Sequence, residues 1–110
     1  MKIPIIENGN IQNIDLSGQE LEGMNAYFSS FYNVNFAGAK LAKAHFIEDE
    51  FENVSFAHAD LRGARFDASN AFACDLTGAD VCGAVLPGSF EKFYSHNEGM
   101  IVDETTTFDC

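Results

Sequence analysis

The chain has 110 residues, a formal net charge of -11 and 46% hydrophobic residues, with eleven Phe and no Trp. That length holds one domain, and so negative a surface excludes direct binding to nucleic acid or to an anionic membrane, both of which need a basic face. No apolar run approaches the ~20 residues of a membrane span. The opening MKIPIIENGN has one Lys, an early Pro and an acid at Glu7, unlike a secretory signal. Cys74, Cys82 and Cys110 are odd in number and include no CxxC pair. A reducing cytoplasm is the expected compartment.

Residues 1–10 gather Ile3, Ile5 and Ile6 around Pro4 and then turn through ENGN, which predicts a short strand capping the open end of the first coil. From Ile11 to Leu86 an apolar residue returns every fifth position: Ile11, Leu16, Leu21, Ala26, Phe31, Phe36, Leu41, Phe46, Phe51, Phe56, Leu61, Phe66, Ala71, Leu76, Val81, Leu86. Two residues before most of these centres stands a small residue, such as Val34, Ala39, Ala44, Val54, Ala59 or Cys74. A period of five matches neither the 3.6 of a helix nor the 2.0 of a flat strand. Stacked coils with one short side per five residues do match it. Residues 31–46, FYNVNFAGAKLAKAHF, return twenty residues later as FENVSFAHADLRGARF. Four pentads per repeat predict a four-sided coil, with successive coils hydrogen-bonded at the strand spacing of ~4.8 Å.

Segments such as AKLAK (39–43), ADLRG (59–63) and ADVCG (79–83) resemble the A-(D/N)-L-x-x unit of pentapeptide-repeat proteins, and the resemblance covers residues 11–88. It implies an all-β fold, a right-handed quadrilateral β-helix of about four coils, with the centre and the preceding small residue pointing inward. The family shares a scaffold and not an activity.

Coil one, roughly 14–33, is the least regular. Gln19 takes an inward small position, and Met24 offsets the volume that Ala26 leaves. Coils two and three, roughly 34–73, are the most regular. Coil four, 74–88, has Gly78, Gly83 and Gly88 at corners suited to positive φ, and Pro87 ends the pattern. In SFEKFYSH, 89–96, Ser89 caps a short helix whose Phe90, Phe93 and Tyr94 form an apolar stripe, either a lid on the last coil or a dimer surface. Residues 99–110 carry β-prone segments around DETT beside that cap. The domain reading is therefore 1–10 capping strand, 11–88 β-helix and 89–110 C-terminal cap.

Pentads taken in rotation assign the faces. Centres 16, 36, 56 and 76 lie on side one and 21, 41, 61 and 81 on side two. Side three takes 26, 46, 66 and 86, and side four takes 31, 51 and 71. Lys40, Lys43 and Arg62 gather on side two, with His45 and Arg65 around the corner. Glu48, Asp49, Glu50 and Glu52 fall at the corner between sides three and four. Tyr27, Phe28 and Tyr32 flank that corner, with Ile47 one coil on and Phe72 farther along side four. Turned outward, these form a partner surface with Glu48, Glu50 and Glu52; alternatively Phe28 and Phe72 turn inward beside Ala26 and Ala71. Asp49 departs from the pattern by occupying an inward small position, where the Ser29 and Ser69 hydroxyls of adjacent coils are the expected donors.

No catalytic, cofactor or metal constellation is legible. His45, His58 and His96 lie on different sides or outside the repeat, and no GxSxG, phosphate loop or HExxH is present. The expectation is a non-catalytic, acidic rod that binds a protein partner or itself. The alternative follows from resemblance to acidic quinolone-protection rods, which imitate DNA and bind type II topoisomerases.

Overall fold

A computed structural model describes residues 5–87 and 106–109. Its secondary structure is all strand: β1 (Ile5–Glu7), β2 (Asn10–Asp15), β3 (Asn25–Tyr27), β4 (Ser30–Asn35), β5 (His45–Ile47), β6 (Glu50–Glu52), β7 (Asn70–Phe72), β8 (Val85–Pro87) and β9 (Thr107–Asp109). All the strand pairs are parallel. Strands β1, β3 and β5 form one sheet, β2, β4, β6 and β7 a second, and β8 and β9 a third. The register step is twenty residues, as in Ile5↔Asn25↔His45, and single bridges carry that column on through Arg65 to Val85.

The pentad explains itself in the backbone. Within a unit such as 34–38, Val34 and Phe36 are buried while Asn35 is exposed, the alternation of an extended strand. The fifth residue then turns the corner. Positive φ recurs at every fifth position from Asn8 to Gly83, at ten non-glycine residues and six glycines. In the regular pentads the corner is the third residue of a turn closed by a backbone bond, as in Ala39 N–H to Phe36 O (3.0 Å) and Ala59 N–H to Phe56 O (3.0 Å). A positive φ at that position alone makes it a type II turn. Two inward residues, two outward and one corner make a side, and four sides close a coil. Gly78 meets a second demand besides its φ of 67°: the His58 imidazole of the coil below occupies the space a Cβ would need.

The core is a stack of columns. Phe31 lies face to face on Phe51 (4.9 Å between centroids), Phe36 on Phe56 (5.4 Å) and Phe46 on Phe66 (4.8 Å). Edge contacts such as Phe46–Phe51 (5.3 Å) join the columns across the interior. Such pairs add about 0.5–1.5 kcal/mol each beyond area burial, which accounts for a Phe-rich chain without Trp. Met24 and Ala26 are both buried, as the volume exchange between them requires.

The first coil departs from expectation. Within the expected capping strand, Ile5–Glu7 is a rung paired to Asn25–Tyr27 at the common step; the departures lie elsewhere. Gln19, expected inward, is exposed, and Ile14 at the equivalent position of side one is 45% exposed. Ile6, Ile11, Leu16 and Leu21 are only partly buried because they have neighbours above them and none below among the described residues. At the other end Thr107–Asp109 lies along Val85–Pro87 in a step of twenty-two, and Thr106 Oγ1 donates to Val81 O (2.8 Å). The tail thus supplies a further rung without a pentad. The helix expected at 89–96, with Phe90, Phe93 and Tyr94, lies outside the described residues, as does Gly88.

Candidate interaction surface

Three bases of the cluster on and beside side two, Lys40, Arg62 and Arg65, are paired with nearby acids. Arg62 donates through Nε and Nη2 to both carboxylate oxygens of Asp60 (2.8 Å each), holding that carboxyl below its usual range. Arg65 forms the same fork with Asp67 (3.1 and 3.2 Å). Lys40 stands between Glu20 and Asp60 in one column and approaches Glu20 at 3.9 Å. Side two therefore sets Lys40 between two acids, with Asp80 next above Asp60.

The corner between sides three and four is handled differently. Glu50 and Glu52 point outward on either side of buried Phe51, and Glu48 stands exposed at the corner with φ 52°. None of the three carboxylates makes an ion pair or side-chain hydrogen bond among the described residues. One rung below, Ser30 and Tyr32 are the register partners of Glu50 and Glu52, and Tyr27 is that of Ile47. One rung above, Asn70 and Phe72 hold those columns. The carboxylates are thus bracketed by uncharged, partly aromatic rungs.

Phe28 and Phe72 turn outward and are each 58% exposed; Tyr32 is 46% exposed, while Tyr27 and Ile47 are half-buried. The inward alternative fails because Ser29 and Ala26 already fill the inward positions on either side of Phe28, and both are buried. Phe28 also carries a φ of 54°. A bulky aromatic rarely adopts that region, and the left-handed conformation costs it about 1–2 kcal/mol. Sequence reading found the corner and its rings, but nothing in the pattern marked Phe28 as a strained position.

Beneath this corner runs a buried polar column. Gly9 N–H donates to Ser29 Oγ (3.0 Å), Ser29 N–H to Asp49 Oδ1 (2.8 Å), and Asp49 N–H to Ser69 Oγ (3.0 Å). Each polar side chain accepts from the backbone one rung below. The donor to the carboxylate is thus the Ser29 amide and not a hydroxyl, because Ser29 Oγ donates to Tyr27 O and Ser69 Oγ to Phe46 O. Asp49 is fully buried and its Oδ2 has no partner. Burial pushes its carboxyl up to about 7, against the Ser29 N–H, which favours the ionised form. At the next corner Asn53 Nδ2 donates to Asn33 Oδ1 (3.0 Å) and Asn33 Nδ2 to Asn13 Oδ1 (2.7 Å), an amide ladder that stops at Ala73.

Among the described residues no group of three or more His, Cys, Asp or Glu is placed to hold a metal ion. Cys74 is buried, with its thiol pushed up to about 11 by desolvation. No helix among the described residues is long and apolar enough to cross a membrane.

Two sequence profiles, both described as pentapeptide repeats, match residues 31–79 and 10–47. The chain belongs to the pentapeptide-repeat family. Among solved structures, a pentapeptide-repeat protein of the Arabidopsis thaliana thylakoid lumen is 32% identical with a TM-score of 0.70. That match covers 84% of this chain and 61% of the plant protein, so the chain spans less than two thirds of it. Rfr23 of the cyanobacterium Cyanothece 51142 shares 21% identity at a TM-score of 0.57, over 96% of this chain and 88% of its own. HetL of Nostoc, involved in heterocyst differentiation regulation, shares 17% at 0.51, over 99% of this chain and 46% of its own. The last two likenesses are of fold alone. Among curated protein sequences none matches this chain. The pentapeptide solenoid is a structural repeat, and its described residues carry the family's four-sided geometry on every side.

Proposed function

We propose that the protein is a non-catalytic interaction module that docks a protein partner on the corner between sides three and four. Phe28 carries the reading: an aromatic ring is 58% exposed at a corner whose backbone disfavours it. Asn, which tolerates that conformation, stands at the equivalent corner one coil below, Asn8. Coil closure sets that backbone at every corner, so what singles out Phe28 is a large apolar ring placed outward there beside other exposed rings. Tyr32, Tyr27 and Ile47 extend the ring into a patch, and Glu48, Glu50 and Glu52 rim it. The DNA-mimic alternative asks for uncompensated acid along the rod, and the ion-paired acids Glu20, Asp60 and Asp67 work against it.

A photo-crosslinking amino acid at position 32, expressed in the native host, tests the reading, with the same group at position 40 on side two as control. Adducts of defined mass from position 32 and none from position 40 are expected. An adduct with a second copy of the chain, matched by a dimer in light scattering, makes the partner the protein itself. No adduct at position 32 sinks the reading.

A further inference from the structure

We infer that the occupant of this corner is an extended cationic segment with Arg or Lys at alternate residues, lying along the Glu48–Glu52 rung. The inference rests on the interaction reading above and adds the partner's chemistry. Its ground is the register between two neighbouring rungs. Glu50 and Glu52 project on the same side of the sheet with Phe51 turned inward between them, so their Cα atoms repeat at about 6.6 Å. An extended partner repeats at the same distance, and its alternate side chains meet successive carboxylates. Glu48 stands at the corner before this pair, off its straight line, and adds charge at one end.

The rung below supplies what a row of carboxylates alone lacks. Tyr32 lies directly under Glu52, and Phe28 stands twenty residues before Glu48 at the same corner. A guanidinium or ammonium seated on Glu52 has its aliphatic stem, and part of its charge, over an exposed ring one rung away, which favours a cation over any neutral donor. The columns add no competing cation. Ser30 and Asn70 flank Glu50, and Tyr32 and Phe72 flank Glu52, where on side two Lys40 separates Glu20 from Asp60. A cation from outside is the missing complement, and the net charge of -11 steers it in. The spacing separates this partner from two others. A divalent ion needs converging carboxylates, and this row diverges around a corner; duplex nucleic acid is repelled.

The test titrates the full chain with a short capped peptide that alternates Arg with Thr. Controls are a peptide of the same composition with its Arg contiguous and one with Glu in place of Arg. Amide shifts confined to residues 27–32 and 47–52 are expected. The contiguous peptide should bind several-fold more weakly, and the Glu peptide not at all. Glu50→Gln with Glu52→Gln, both exposed and free of structural bonds, should weaken binding about tenfold, whereas Glu20→Gln on side two should change it by less than about twofold. Tyr32→Ser should weaken it to a similar degree with the fold intact. Equal binding by the double variant, or shifts that map to side two, overturns the inference. Crosslinks from position 32 without any peptide binding overturn the cationic partner while leaving the docking face standing; loss of both removes the reading beneath it.

Discussion

Side two and side four are cut from the same coil, with the same rung spacing and the same two outward residues per pentad, yet they treat charge in opposite ways. On side two, Lys40 stands between Glu20 and Asp60 in one column, and Arg62 is held by an acid two residues away in sequence. On side four, three carboxylates stand between uncharged rungs, with aromatic rings in register. A regular scaffold therefore leaves its faces free to differ. Most bases on and beside side two meet an acid within the fold, whereas Glu48, Glu50 and Glu52 meet no base among the described residues.

The largest expected effect tests whether the two faces share one core. Phe51→Ala removes the ring that stacks on Phe31 and separates Glu50 from Glu52. It should lower stability by about 3–5 kcal/mol in denaturant unfolding. Binding should fall with it, giving the reference for loss through unfolding.

Next comes the buried carboxylate under the corner. Because the folded carboxyl of Asp49 titrates near 7, above its ordinary value of 3.8, the folded chain holds a proton that the unfolded chain releases. The stability tied to that proton is fully present below the ordinary value and is lost as pH rises towards 7. The expected slope is roughly 1.4 kcal/mol per pH unit across that window. Asp49→Asn should flatten it, and an unchanged slope would sink the assignment.

Phe28→Asn sharpens the comparison from the other direction. Relief of the left-handed strain should leave thermal stability unchanged or raise it by about 1 kcal/mol, while weakening partner binding. A variant that loses stability would mean that the ring serves the fold. Smallest of all are the charge removals. Asp60→Asn should bring a slight loss of stability that added salt erases, and Glu52→Gln none. If both behave alike, the two faces are not electrostatically distinct.

Much of this fold was legible because one inward pair per five residues is a requirement of the closed coil, and Phe31, Phe36, Leu41 and Phe46 declare it in sequence. The corners were half legible. Gly78 and Gly83 announced positive φ, but Lys43, His58 and Phe28 adopt it too, since closure of the coil overrides their local preference. Gln19 misled because the pattern encodes direction, whereas burial also needs a rung on each side. At the candidate corner the grouping of Phe28, Tyr32 and Phe72 was legible in the spacing and the bonding beneath them was not. Side-chain pairing across two residues, as in Asp60–Arg62, and the choice of the Ser29 amide over its hydroxyl as donor to Asp49 depend on angles that no spacing records.

The corner that recurs every fifth residue also gives the outer surface an arithmetic. An insertion of five residues would keep every inward side chain inward and leave the core nearly as stable. It would, however, rotate everything downstream by a quarter-turn. Placed after Asn53, it would carry Phe72 from side four to side one and leave Glu52 without its upper neighbour. An insertion of twenty would lengthen the rod and restore each column. Length changes in such a chain are therefore quantised: the core tolerates steps of one pentad, but any surface built across several rungs survives only steps of four.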